Sequence, residues 1–553
     1  MNIFEKIVKK EKEPTAKKDY GFTEYFQKAE NMRENLGKVS PSMCLAKWLQ
    51  VSINLANGTT QSCYHPPTHP IPLLELKENP SALHNTQFKK QEREQMLNGE
   101  RPDGCNYCWR VEDAPGGGDN GHLSDRHYKS SEFWAAPYFK ETILEDADFN
   151  VVPRYVEVNF NQACNFKCMY CSPHISTTWE DEIKEHGPYK FTLPGKPNSD
   201  HNNLINLKSA GYMPLEVASK DNPYIEAFWR WWPEIYRSLR VFRMTGGEPL
   251  MDKNTFKVLD YVNENPHGLL ELSITSNMCP PDQKLFDKFI QKVQALEEIR
   301  TYEDNDNFNE FSGNNWYVDK GFKHFWLYVS LDGVGKQSEY MRTGLDYDRL
   351  LDNVKTFLRE TRYTTVSFIN TFNILSIPTL KQYLQMILDL RIEFGGRNQI
   401  EFDIAPEANE HEQAHGIEHK QYKQKKFQRI YLDIPLLKYP NWFDSQNASP
   451  GLIKMVEEAV QFMRDNVQQE DYRETFEGFK PHEILKLERN LAIMKEGKPA
   501  VTLDNNKLQF YQFVNEYDKR RGTNFLKVFP EMYEYYNECK LLQMRTDNAK
   551  ETQ

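Results

Sequence analysis

From residue 154 onward the chain alternates between two periodicities. Short apolar runs rich in β-branched and aromatic residues recur as RYVEVNF (154–160), LRVFRMT (239–245), LLELSITSN (269–277), FWLYVSLD (325–332), TVSFINTFN (365–373) and IEFDIA (400–405). Between them the apolar residues return every three to four positions, as in KNTFKVLDYVNEN (253–265), DYDRLLDNVKTFLRET (346–361) and IPTLKQYLQMILDL (377–390). The first pattern predicts strands and the second helices. Six strand–helix repeats predict an α/β fold with a parallel sheet and helices outside it. Such a sheet stays open or closes into a barrel, and its chemistry sits at the C-terminal ends of the strands.

The flanking segments read differently. Residues 1–40 are charged, and their lysines suit a solvated helix face. Residues 41–150 are rich in Pro, Gly, Asn and Asp, with APGGGDNGH (114–122) a loop by composition. Little regular structure is legible there, so something other than a large apolar core is expected to hold this segment. Residues 175–235 form an insertion in the 151–410 core, first loop-like (187–203) and then aromatic in YIEAFWRWWPEIY (224–236). Core packing is the preferred reading of RWW (230–232) and of the tyrosines at 533–536, over a surface that stacks nucleic-acid bases. The tail from 411 to 553 reads as mostly helical and polar.

Composition narrows the class. Of 553 residues 39% are hydrophobic and 13% aromatic, enough for a large core and too much for a disordered chain. A net charge of −11 argues against a nucleic-acid coat protein. The N-terminus has no apolar signal region and no stretch is long and apolar enough to span a membrane, so a cytoplasmic protein without a membrane partner is expected. Nine cysteines, an odd number without export signals, argue for metal ligands rather than a disulfide framework.

Three of them form Cys164-Asn-Phe-Lys-Cys168-Met-Tyr-Cys171, directly after the first expected strand. Thiolates are the soft ligands that zinc and iron–sulfur clusters take. Three ligands leave one coordination position open, as catalytic sites do, whereas a zinc knuckle would recruit a fourth ligand such as His174. The second strand ends in Met-Thr-Gly246-Gly247-Glu248-Pro, where two glycines permit close backbone approach and Glu248 could receive an ammonium group. Ser330-Leu-Asp332-Gly ends the fourth strand and Arg342 follows in YMRTG, a set that suits a ligand with a ribose and a carboxylate.

CxxxCxxC with the aromatic Tyr170 before its last cysteine, GGEP, and SLDG with a downstream arginine together resemble the radical S-adenosylmethionine (SAM) superfamily, over roughly 150–410. The resemblance implies a partial (β/α)6 TIM-like barrel. It also implies a [4Fe–4S] cluster on Cys164, Cys168 and Cys171, with SAM chelating the open iron. Gly246, Gly247 and Glu248 would meet the SAM amino group. Ser330 and Arg342 would lie near its carboxylate and ribose, and Asp332 would shape that loop. Tyr170 belongs to the same cofactor-binding set. Asn277 matches a family Thr-Asn step at the third strand end, and Asn373 an asparagine at the fifth. The implied reaction is one-electron cleavage of SAM to a 5′-deoxyadenosyl radical that abstracts hydrogen from a substrate, fed by a donor such as flavodoxin or ferredoxin.

Cys44 in CLAKW, Cys63 in NGTTQSC, and Cys105 and Cys108 in GCNYCW form a second group. CxxC alone fits a redox pair, a zinc site or a cluster, and four cysteines in a loop-rich segment fit a tetrathiolate metal site. Their contexts, with LSDR (123–126), resemble the twitch domain, the shorter relative of the SPASM domain. That domain usually follows the barrel and here would precede it. The resemblance implies an auxiliary iron–sulfur cluster on Cys44, Cys63, Cys105 and Cys108. Zinc and free thiols remain open alternatives, and His65 or His69 could replace one ligand. Cys279 and Cys539 read as buried free thiols.

His411-Glu412-Gln-Ala-His415 matches the HExxH zinc-protease pattern, but its surroundings lack an apolar helix face, and a charged connector is the preferred reading. FVNEYDKRRGTNFLKVFPEM (513–532) resembles a tail element of twitch-type radical SAM proteins. The leading expectation is a two-cluster radical SAM enzyme acting on a polypeptide side chain, with a nucleoside or small metabolite next. The rivals are a non-catalytic binding protein with zinc at both cysteine groups and a zinc protease using His411, Glu412 and His415.

Overall fold

The computed structural model describes residues 22–116, 121–217, 221–298, 300–301, 318–319, 322–362, 364–395, 428–468 and 477–551. The fold is mixed α/β with a large, mostly parallel sheet. The chain forms two compact units. Unit 1 holds the residues up to Asn161 with Pro214–Thr245 and Leu269–Leu272, and unit 2 holds Gln162–Met213, Gly246–Gly268 and the residues from Ser273 onward.

In unit 1 the strands Gln50–Asn54, Tyr155–Asn159 and Val241–Thr245 run parallel in that order, and the short antiparallel strands Thr59–Gln61 and His69–Pro70 extend the edge beyond Gln50–Asn54. Register places Val51, Val156 and Phe242 side by side, and likewise Ile53, Val158 and Met244. Alternation puts these six buried residues on one face. The helix Pro223–Ser238 packs its aromatics here, with the Trp232 and Phe242 rings 4.9 Å apart. Trp231 and Trp232 are buried, as core packing requires, and offer no stacking surface.

Residues 41–150 hold more structure than their composition suggests. The strand Gln50–Asn54 belongs to the sheet, and a cluster including Leu36, Met43, Trp48, Met96, Trp109 and Trp134 gives the segment an apolar core of its own. Several of its helices, such as Leu45–Leu49 and Asn106–Glu112, are too short for a helical period to register in the sequence.

In unit 2 the strands Phe322–Ser330, Thr364–Ile369 and Ile430–Asp433 run parallel in that order. Helices Lys253–Glu264, Tyr347–Glu360 and Leu380–Phe394 match their expected positions within a few residues. The expected strand at 400–405 and the HExxH residues His411, Glu412 and His415 lie outside the described residues. Ile430–Asp433, which the sequence reading assigned to the helical tail, is instead a strand. It is short, and Arg391 anchors it: the guanidinium donates to Ile430 O at 3.2 Å and pairs with Glu483 at 2.6 Å, both side chains buried. The fifth strand stops at Ile369, and Asn373 caps a short 3-10 turn by accepting from Leu375 N. No helix among the described residues is long and apolar enough to cross a membrane.

One turn aims the chain toward Cys63. Gly58 has φ +71°, and a Cβ there would stand 2.0 Å from Cζ of Tyr224, whose hydroxyl is held on Ile71 O at 3.2 Å. Gly58→Ala is expected to cost about 1–3 kcal/mol through overpacking and left-handed strain. Urea denaturation followed by tryptophan fluorescence reads this cost, and an unchanged midpoint would mean that Tyr224 yields freely.

Candidate metal and cofactor sites

The three-cysteine loop lies in unit 2 and is held by its backbone. Lys167–Cys168 pairs antiparallel with Arg342–Thr343, Met169 N donates to Met341 O, and the buried Trp179 Nε1 donates to Cys168 O at 2.8 Å. Phe166 N points at Cys164 Sγ, and Asn202 Nδ2 reaches Cys171 O. Burial pushes the Cys164 thiol up to about 12 and raises those of Cys168 and Cys171 as well; repulsion from neighbouring sulfurs adds to the rise at Cys164 and Cys171, while Arg342 opposes it at Cys168. Deprotonating these buried thiols is costly without a compensating positive charge.

Gly246–Glu248 touches this loop directly. Glu248 N donates to Ala163 O at 2.6 Å, and a Cβ on Gly247 would stand 2.3 Å from the same carbonyl oxygen. Only glycine permits that approach. The buried Glu248 carboxylate accepts from Leu250 N, Ser276 Oγ and Asn277 N, the last at 2.7 Å. Asn277 also donates through Nδ2 to Asn165 Oδ1, and Asn165 in turn donates to Cys279 O. The GGE turn, the third strand end and the cysteine loop therefore form one hydrogen-bonded cradle.

Asp332 is fully buried and accepts from Tyr170 Oη at 2.6 Å, Arg342 Nε at 2.9 Å and Thr371 N at 2.9 Å. Arg342 also donates to the Tyr170 hydroxyl and, through Nη1, to Cys168 Sγ at 3.5 Å. Its guanidinium is thus committed to the cysteine loop itself. Ser330 closes its strand opposite Ile369. His174 bonds Ser172 Oγ at 2.8 Å and lies against the Tyr212 ring.

Unit 1 gathers the other four cysteines around one cavity, lined by Cys44, Cys63, Cys105 and Cys108 with Lys47, Arg126 and Lys129. Burial raises all four thiols, Cys108 to about 12, and Cys44 couples electrostatically to each of the others. The N–H groups of Lys47, His65 and Arg126 donate to Cys44, Cys63 and Cys108, and the Lys47 amine reaches Cys105. Buried ion pairs hold the cations: Lys47 to Glu92 at 2.7 Å and Arg126 to Glu112 at 2.8 Å. Four sulfurs, N–H donors aimed at them and positive charge alongside suit an anionic tetrathiolate centre. His65 lines the cavity but bonds Asp125 at 2.6 Å, whereas His69 turns to Thr86. Among the described residues no group of three or more His, Cys, Asp or Glu side chains stands as a ready-made metal cage, so the thiols are gathered without a closed ligand sphere. Cys279 and Cys539 are buried free thiols.

Sequence reading missed Asn165, Lys47, Glu92 and Glu112. A lysine inside the otherwise apolar LAKWL was the one available signal, and the carboxylates gave none, because their roles arise from packing. No family model matches the chain, and no curated protein matches it either.

Burial pushes the Glu248 carboxyl up to about 7. The unfolded chain, with a carboxyl near the ordinary value, loses its proton first as pH rises. The stability from this group is therefore full below about pH 4.5 and falls by about 3 kcal/mol by pH 7. Denaturation of the metal-free chain across pH 4.5–7.5 should show a decline that Glu248→Gln flattens; equal slopes would remove Glu248 as its source.

Proposed function

We propose that this chain is a radical SAM enzyme. Cys164, Cys168 and Cys171 would hold a [4Fe–4S] cluster, and Cys44, Cys63, Cys105 and Cys108 an auxiliary iron–sulfur cluster. The observation that carries the reading is the contact between two motifs some eighty residues apart: Gly247 and Glu248 N lie on Ala163 O, beside Cys164. Closure of the parallel sheet into a partial (β/α)6 barrel is part of this proposal.

Bound there, the cluster and SAM would supply a 5′-deoxyadenosyl radical, after one electron from an external donor of the flavodoxin or ferredoxin class, for hydrogen abstraction from the substrate. The protein's part is positioning. Glu248, buried and fixed by three donors, puts a carboxylate beside the backbone turn that would receive the amino group of SAM. Gly247 lets that turn close on the cysteine loop. Asp332 and Arg342 hold Tyr170 and Cys168 in register, with the arginine beside the thiolate. A polypeptide side chain is the proposed substrate class, by resemblance to auxiliary-cluster enzymes.

Anaerobic purification tests the reading. A brown chain with about eight irons and eight sulfides is expected, together with dithionite-dependent formation of 5′-deoxyadenosine from SAM that Cys164→Ala abolishes. A colourless chain holding two zinc ions would overturn it in favour of a zinc-stabilised binding protein.

A further inference from the structure

In unit 2 the helix Ala500–Arg521, in the tail of the chain, brings unusual charge to the residue before Cys168. Glu182, almost fully buried, receives Arg521 Nη2 at 2.6 Å, Lys167 Nζ at 3.0 Å and Arg520 Nη1 at 3.7 Å. One carboxylate thus faces three cations, and Lys167 is the residue before Cys168. Tyr189 Oη donates to Glu182 at 2.7 Å and accepts from Arg521 at 2.8 Å. The Arg521 guanidinium also lies 3.6 Å over the ring of Tyr517. Tyr517 Oη in turn donates to Tyr340 O at 2.6 Å and stands 2.6 Å from Thr343 Oγ1, the residue paired with Lys167.

The charges do not balance among the buried groups. Among the deeply buried side chains behind Cys168, Arg342, Arg520 and Arg521 stand against Asp332 and Glu182; Lys167 and Glu516, 27% and 35% exposed, add one partly solvated charge of each sign, and the half-buried Asp518 accepts from Tyr340 Oη. Arg520 and Arg521 have side-chain exposures of only 4% and 6%, so solvent screens them little. Buried excess positive charge is costly unless an anion lies nearby. A cluster bound by three thiolates is such an anion, and it becomes more negative by one charge when it takes up an electron.

We propose that Arg520 and Arg521 are positioning residues for the iron–sulfur cluster of Cys164, Cys168 and Cys171, their fixed charge behind Cys168 favouring its one-electron-reduced state. The inference rests on the radical SAM reading above. The electron comes from an external one-electron donor, no bond is formed or broken in this step, and the arginines keep their protons. Because the two residues come from the helix Ala500–Arg521, the tail becomes part of the redox apparatus rather than an appendage.

The test is a redox titration of the full, iron-loaded chain with dithionite, following the electron-paramagnetic-resonance signal that changes when SAM is added. Arg521→Gln is expected to lower the reduced-to-oxidised ratio at fixed potential by about tenfold, a shift of about 59 mV to more negative potential for one electron. Arg521→Lys should stay near the parent value. Glu182→Gln removes the carboxylate and leaves the cations, so it should shift the potential in the opposite direction. A purely structural role would give no shift, or shifts of the same sign, and either result with normal iron content would overturn the proposal. Should Arg521→Gln lose its iron, Arg520→Gln and Glu182→Gln carry the same opposite-sign test. A parent chain that binds no iron is a different outcome, which fails the functional reading itself.

Discussion

The buried ion pair of Asp332 and Arg342 is the constraint on which unit 2 depends most. Neither group is stable there alone, since a buried charge without its partner costs about 3–5 kcal/mol. Together they fix three things at once. Asp332 holds the loop after the neighbouring strand Thr364–Ile369 through Thr371 N, Arg342 holds the Tyr170 hydroxyl, and the same guanidinium lies on Cys168 Sγ. The strand end and the cysteine loop cannot move independently while this hub is intact.

The two units meet a shared electrostatic problem in different ways. In unit 1 four thiols face a cavity, and the compensating cations Lys47 and Arg126 are each paired with a buried carboxylate. The three thiols of unit 2 sit on a loop braced by backbone pairing, and there Arg342, Arg520 and Arg521 face the buried Asp332 and Glu182. A tetrathiolate centre is saturated by protein ligands and serves structure or electron storage. In the proposed reading, three thiolates would leave a position for a small ligand, and the glycine turn would supply the close backbone surface such a ligand needs.

Much of the site could be read in the chain, because its chemistry is written in rare residues at fixed spacings. Cys164, Cys168 and Cys171, the paired glycines and Asp332 all stand near expected strand ends. The long helices were legible too, since Tyr347–Glu360 and Lys253–Glu264 carry several turns of amphipathic pattern. The strands Gln50–Asn54 and Ile430–Asp433 were not. Each is four or five residues long, and parallel pairing with a remote strand, not local propensity, makes it a strand. The apolar core of residues 41–150 escaped for a related reason: its members come from several separate segments, among them the five-residue helix Leu45–Leu49 and the seven-residue helix Asn106–Glu112.

By itself the sequence determined the two cysteine groups, the spacing within each, the placement of glycines where backbones must touch, and the amphipathic helices. These are local properties, set by side-chain chemistry and by periods of two and 3.6 residues. Only the tertiary structure decided which distant groups meet. It set Gly247 on Ala163 O, gave Arg342 to Cys168, and gathered Cys44 and Cys63 with the CxxC pair. It also carried Arg520 and Arg521 to Glu182 across more than three hundred residues of chain. Such contacts follow from the burial of charge and apolar surface over the whole fold, where the partners of a buried ion are chosen by packing and leave no mark at the position of either residue alone.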